Sequence, residues 1–332
     1  MNNFRDEFWD KLSSIRIPSN TPRQDQLKLL HDIGNILQPH LPTSIFKYRA
    51  CNTRNIDALS RNVIYAVPAS YMNDPFDGLV YVDKEYIANS IKFALSKDFV
   101  EVIRRENKFP DDIKNFISQE LAQELLTYIN NLSEKEIDEI EKHNESTLND
   151  FLQNIDIFIN ESIKDLQKQS LISSFGDNPC DASMWAYYAE EHKGYVLEYK
   201  VTSSTFDFCA VCRKADTEYC DGTPVRARLY PIVYSDKRYD ATEWVDSRIG
   251  TTSLRIGFGE TNDYYPDILA FDKSCLIKGK QWSHENEWRI VCYPIHTPKN
   301  ICPDSRTYTY TFSHILRSED CRRGLQDSAQ YD

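Results

Sequence analysis

The stretch Q-W-S-H-E-N-E-W-R-I-V-C carries two glutamates, Glu285 and Glu287, two residues apart ahead of an apolar run. On a strand, residues i and i+2 face the same side. Two carboxylates held together raise one pKa, which suits general acid or base chemistry. One of them can instead stabilise a developing cation while the other positions a nucleophile. A plainer reading makes them exposed strand-edge acids bonded to Arg289 or Lys280. Three further stretches carry groups that could meet a ligand. F-K-Y-R at 46–49 offers Lys47, Tyr48 and Arg49, a phosphate-gripping cation beside an aromatic able to stack. M-N-D-P-F-D-G at 72–78 reads as a turn in which Asn73, Asp74 or Asp77 faces a ligand or metal, or simply bonds its own backbone. The stretch from Ser173 to Glu198 contains M-W-A-Y-Y-A-E-E-H-K-G. There Trp185 and Tyr188 share a helical face, His192 and Lys193 suit the helix C-terminus, and Gly194 is placed to end the helix.

Several chemistries are set aside. The chain has no G-x-x-x-x-G-K-[ST], G-x-G-x-x-G after a strand, G-x-S-x-G or H-E-x-x-H. Cys209, Cys212 and Cys220 form a C-x-x-C with one further cysteine, but no second pair completes a zinc set. Nine cysteines, an odd number, suit free thiols in a reducing compartment. The net charge of −12 opposes a broad nucleic-acid face, although one local basic groove is compatible with it. With no apolar run near the ~20 residues needed to span a membrane and no signal peptide, a cytoplasmic protein without a membrane partner is expected.

These residues need a scaffold, and 332 residues with 41% hydrophobic content suffice for one large domain or two intimate ones. Residues 1–43 read as a helical lead-in, with Thr21-Pro22 as N-cap and N1. Residues 44–295 read as a single α+β domain. S-I-F-K-Y-R, N-V-I-Y-A-V, L-V-Y-V, S-L-I-S-S-F, G-Y-V-L-E-Y-K-V, R-L-Y-P-I-V-Y and E-W-R-I-V-C-Y are its expected strands. Residues 84–168 form a helical insertion, with helix starts at Pro110 and at the Ser133/Glu136 capping box. Residues 296–332 read as a divergent C-terminal tail. Strands, then helices, then strands predict α+β, not a βαβ repeat.

Taken together, F-K-Y-R, N-V-I-Y-A-V-P-A-S-Y-M-N-D-P-F-D, M-W-A-Y-Y-A-E-E-H-K-G-Y-V-L-E-Y and W-S-H-E-N-E-W-R-I resemble the signature blocks of a bacterial family, domain-of-unknown-function family 2971, over about residues 44–295. The order of the blocks is similar to the three-part site of ADP-ribosyltransferases. That likeness implies a split mixed β-sheet core with NAD in its cleft. Arg49 or Tyr48 would then hold NAD, and Ser173 or Ser174 would support the nicotinamide ribose. Glu287 would be the catalytic carboxylate, with Glu285 orienting the acceptor. Tyr48, Tyr71 or Trp185 would stack on a ring, and Asn73 and Tyr188 would complete the NAD-binding set. The implied activity is mono-ADP-ribosyl transfer to a nucleic acid or protein, or NAD hydrolysis, in a toxin or anti-phage effector with an antitoxin or a phage-derived partner. Two rival expectations are a metal-dependent phosphodiesterase built on Asp74, Asp77, Glu285 and Glu287, and a non-enzymatic sensor of a nucleotide or phage protein.

Overall fold

Alternation in S-I-F-K-Y-R and the glycine-free composition of residues 84–168 divide the chain into sheet and helix. The computed structural model describes residues 4–60, 63–72, 74, 77–169, 171–209, 224–258, 264–292, 306–309 and 314–316. The chain opens with α1 (Phe4–Ser14), α2 (Arg23–Leu37), β1 (Ser44–Arg49), α3 (Thr53–Ser60), β2 (Val63–Pro68) and β3 (Val80–Tyr81). A helical layer follows, made of α4 (Lys84–Ala94), α5 (Lys97–Glu106), α6 (Asp111–Lys114), α7 (Gln119–Asn131) and α8 (Glu134–Gln169). Next come β4 (Leu171–Phe175), α9 (Ala182–Tyr188), β5 (Tyr195–Lys200), β6 (Thr205–Cys209), β7 (Pro224–Pro231), β8 (Val233–Tyr234) and β9 (Tyr239–Asp240). The last elements are α10 (Thr242–Phe258), α11 (Ala270–Ser274), β10 (Ile277–Lys278), β11 (Trp288–Cys292), β12 (Arg306–Thr309) and β13 (His314–Leu316).

The expected α+β class is the observed one, and the strands divide into separate sheets. One has six strands in the order β12-β2-β4-β11-β7-β6, and another has three in the order β1-β5-β13. Every pairing in these two sheets is antiparallel. Among the described residues parallel pairing is confined to β10-β8 and β3-β9. Backbone hydrogen bonds between Phe46 and Gly176 tie β1 to the end of β4, so the two large sheets meet where the site residues lie. The stretch read as a tail contributes β12 to the edge of the larger sheet and β13 to the smaller one.

Apolar faces close around this frame. Ile45, Leu171, Phe175, Leu197, Leu229, Trp288 and Ile290 form one core. The lead-in helices are part of a second core: Phe8, Leu12, Ile33 and Leu37 pack on Tyr230, Ile232 and Val291. Helix α2 starts at Arg23 with Pro22 as its N-cap and no side-chain cap, one residue later than Thr21-Pro22 implied. The Ser133 capping box is present: Ser133 N–H donates to Glu136 at 2.7 Å, and Glu136 N–H donates to Ser133 at 3.3 Å. From it α8 runs 36 residues without a break. Asn144 interrupts the apolar stripe but not the helix, because it donates to the Leu95 carbonyl. No described helix is long and apolar enough to cross a membrane. Among the cysteines, Cys51, Cys275 and Cys292 form no disulfide, whereas Cys180 is disulfide-bonded, which departs from the expectation of free thiols. Cys212 and Cys220 lie outside the described residues.

Gly194 does not supply a left-handed cap. Glu190, Glu191 and His192 carry the positive φ angles after α9. Gly194 is needed instead for close approach, since a Cβ there would stand 2.1 Å from the Arg49 carbonyl oxygen and 2.9 Å from Ala189 backbone atoms. Both obstacles are backbone and cannot rotate aside. Gly194→Ala should therefore lower the unfolding free energy by roughly 2–4 kcal/mol in urea titration. An unchanged midpoint would show that β1 and the turn separate freely.

Candidate functional site

A strand with a charge inside an apolar run must find that charge a partner, because an unpaired buried ion is prohibitively costly. In W-R-I-V-C every residue is buried, and Arg289 is fully so. Its guanidinium donates to Glu287 Oε1 at 2.6 Å, to Asp77 Oδ2 at 2.9 Å and to the Cys275 carbonyl at 2.6 Å. Lys278, from β10, donates to Glu287 Oε2 at 3.0 Å and to Glu285 Oε2 at 2.6 Å. Tyr188 of α9 donates to Glu285 Oε1 at 2.9 Å. Asp77, Glu285 and Glu287 thus converge on two cations, and all five groups are buried.

The glutamates reach this point by a turn and not by strand alternation. Residues Lys280–Glu285 form a 3-10 helix, Asn286 takes a left-handed conformation, and β11 begins only at Trp288. The Glu287 N–H donates to the Tyr234 hydroxyl oxygen at 2.7 Å. Its carbonyl accepts from Arg5 at 2.9 Å, and the same Arg5 nitrogen donates to the Ile232 carbonyl at 2.7 Å. A residue of the N-terminal helix therefore clamps the backbone of the central acid. Burial opposes ionisation of Glu287, yet Arg289 and Lys278 outweigh it and hold the carboxyl at about 2. Burial also pushes Asp77 up, against the pull of Arg289. For Lys278, the carboxylates outweigh burial and keep it firmly protonated.

Beside this cluster lies a cavity of about 350 Å³. Its wall includes Lys47, Arg49, Arg54, Tyr65, Ser174, Tyr188, Lys278, Glu285 and Glu287. Arg49 and Glu287, distant in sequence, therefore face one space. Lys47 and Arg49 project from one face of β1, while Phe46 and Tyr48 project from the other into the Met184–Trp185 cluster. The groups that bear on Arg49 are Tyr199, Tyr195, Arg54 and Tyr65, with no carboxylate among them. Arg54 stacks on the Tyr65 ring, 4.7 Å from its centre. Lys47 donates to Ser173 Oγ at 3.0 Å and to the Ser174 carbonyl. Burial, reinforced by Arg49, pushes its ammonium well below the usual lysine range.

Other expected site residues fall elsewhere. Trp185 is 2% exposed, T-stacked against Tyr48, with its indole N–H on the Pro179 carbonyl at 2.8 Å. It supports the wall from behind and offers no stacking platform. Tyr48 touches the cavity, but its hydroxyl is spent on the Asn178 carbonyl. Tyr71 is 59% exposed and is not part of the cavity wall. Ser173 is buried behind Lys47, and Ser174 is the serine on the wall. Asn73 lies outside the described residues. The Asp74, Asp77, Glu285 and Glu287 set forms no metal cage: among the described residues no three His, Cys, Asp or Glu side chains are grouped to hold an ion. Lys278 and Arg289 take oxygens of Asp77, Glu285 and Glu287 instead. Sequence reading passed over Lys278, Arg5 and Tyr234. The apolar flanks of L-I-K and W-R-I-V-C were the available signal, since charges in such runs need buried partners.

Removing the acid from this cluster leaves Arg289 with Asp77 and Lys278 with Glu285 as their remaining carboxylates, and two buried cations lose their shared partner. Glu287→Gln should cost about 3–5 kcal/mol at neutral pH. Because the folded pKa of Glu287 is depressed, its stabilisation is complete above the ordinary carboxyl range and drains as pH falls toward 2. Urea midpoints for the wild type should therefore decline between about pH 5 and pH 3, and the variant's decline should be shallower. Parallel profiles would show that Glu287 does not carry the effect.

No curated protein and no solved structure matches the chain. A family model does match, across residues 184–290. The matched segment begins in α9 and reaches β11, so it contains Tyr188, Lys278, Glu285, Glu287 and Arg289, while Lys47, Arg49 and Ser174 lie before it. Over residues 184–290 the chain is similar to the family described as "Protein of unknown function (DUF2971)".

Proposed function

We propose that the cavity binds NAD and that the protein transfers ADP-ribose from it to a nucleic-acid or protein acceptor. The observation that carries this reading is the shared wall: Arg49, Ser174, Tyr188 and Glu287, from separate stretches, line one space. Among the described residues neither Arg49 nor Arg54 forms an ion pair, and they hold the pyrophosphate. Ser174 supports the nicotinamide ribose. Breaking the C1′–N bond sends its electron pair to the nicotinamide nitrogen and leaves positive charge on the ribose. Glu287 is ionised and rigidly held, and it stabilises that charge. The acceptor's lone pair then forms the new bond to C1′. Its proton passes to Lys47, which in the amine form donates its two N–H groups to Ser173 and Ser174 and keeps a lone pair. Such chemistry suits a toxin or anti-phage effector.

A second reading rests on one observation of its own. Glu287 already faces both Arg289 and Lys278, so much of its charge is spent inside the protein. A domain that binds a nucleotide and reports its presence, without turnover, needs the same cationic wall and no free carboxylate.

Arg49→Ala is the cleaner variant, since it breaks no ion pair among the described residues. Calorimetry should show NAD binding weakened by about tenfold or more in Arg49→Ala. Wild type should release nicotinamide from labelled NAD in the presence of an acceptor. Binding without release, across protein and nucleic-acid acceptors, would select the sensor reading. Absence of binding would sink both.

A further inference from the structure

The helical layer holds a second and larger cavity, of about 930 Å³, between α4, α5, α7, α8 and α10. Phe93, Phe99, Ile103, Phe116, Leu125 and Phe151 are among the side chains that build its wall. Protein interiors are close-packed, and voids larger than a water molecule are few. A space of this size lies within the range of small-molecule sites, roughly 300–1,000 Å³ with mainly apolar walls and a few polar groups. Phe93 and Tyr128 on the lining are 47% and 59% exposed, and they mark its entrance.

Helix α10 keeps the space open. Gly250 sits in its interior, where glycine weakens a helix, and a Cβ added there would meet nothing within 4 Å. One turn earlier, Ser247 also lines the cavity, and its hydroxyl has no hydrogen-bond partner among the described residues. The carboxylates on the wall already have partners: Glu141 accepts from the Lys97 N–H at 3.2 Å, Asp246 accepts from Ser90 at 3.1 Å, and Glu243 pairs with Arg16. An anionic head group beside them would lose its hydration with no cation to replace it. A neutral hydroxyl head would meet the unused hydroxyl of Ser247.

We propose that this cavity is a binding site for a single-chain amphiphile, with its alkyl chain among the aromatic side chains and a neutral hydroxyl head at Ser247. It is independent of the NAD cavity and its outcome.

The test uses the full chain and the neutral fluorophore N-phenyl-1-naphthylamine. Fluorescence should rise to saturation on binding, and dodecanol should displace the dye. Laurate should compete at least about tenfold more weakly. Gly250→Phe should fill the space, keep the circular dichroism spectrum, raise Tm by roughly 2 °C and abolish the fluorescence gain. Gly250→Leu, a smaller filling, serves if the phenylalanine variant folds poorly. No dye binding to the wild type, equal competition by laurate, or undiminished binding in a folded Gly250 variant would each overturn the proposal.

Discussion

The buried pair of Arg289 with Glu287 is the constraint around which the sheet frame is arranged. Two ions taken from water each lose several kcal/mol of solvation, and their mutual attraction repays this only with close geometry and further hydrogen bonds. That requirement recruits distant segments. Asp77 comes from the turn before β3, the Cys275 carbonyl from the end of α11, and Lys278 from β10. Arg5 reaches from the first helix to hold the backbone on which Glu287 stands, and Tyr188 reaches from α9 to Glu285. Segments separated by more than 280 residues are thereby tied to one residue, Glu287.

This arrangement divides the charged groups into two kinds. Lys278 and Arg289 are spent on carboxylates and serve as structure. Arg49 and Arg54 share the adjacent wall, and among the described residues neither forms an ion pair, so their charge is available to a ligand. An overall acidic chain thus carries a local anion-attracting recess, because low-dielectric walls focus the field of a few fixed charges. The same division explains why substitutions at Glu287 test folding as much as chemistry, whereas those at Arg49 test the cavity.

The helical layer obeys a different physics. Its long helix is started by a capping box and carried by an apolar stripe, and the stripe packs on α4 and α10. Toward α5 and α7 the packing opens into the apolar cavity. The molecule therefore pairs a polar recess built on paired ions with an apolar one built on aromatic side chains.

The sequence by itself determined the elements whose signals are local. The strand at 44–49, the capping box at Ser133 and the α+β class were all legible, because alternation, capping and helical periodicity act over a few residues. It also picked out Arg49, Ser174, Tyr188 and Glu287, whose chemistry is carried by residue type. Local signals misled where a contact was long-range. Gly194 read as a helix cap, although a neighbouring strand forbids any side chain there. Trp185 read as a stacking surface, although its indole is committed to Pro179. Glu285 and Glu287 read as strand neighbours, although a left-handed Asn286 turns them onto Lys278. Only the tertiary structure decided that Arg49 and Glu287 face one cavity and that the first helix supports it. Burial and ion pairing across more than 200 residues of chain depend on packing, and no short window of sequence records them.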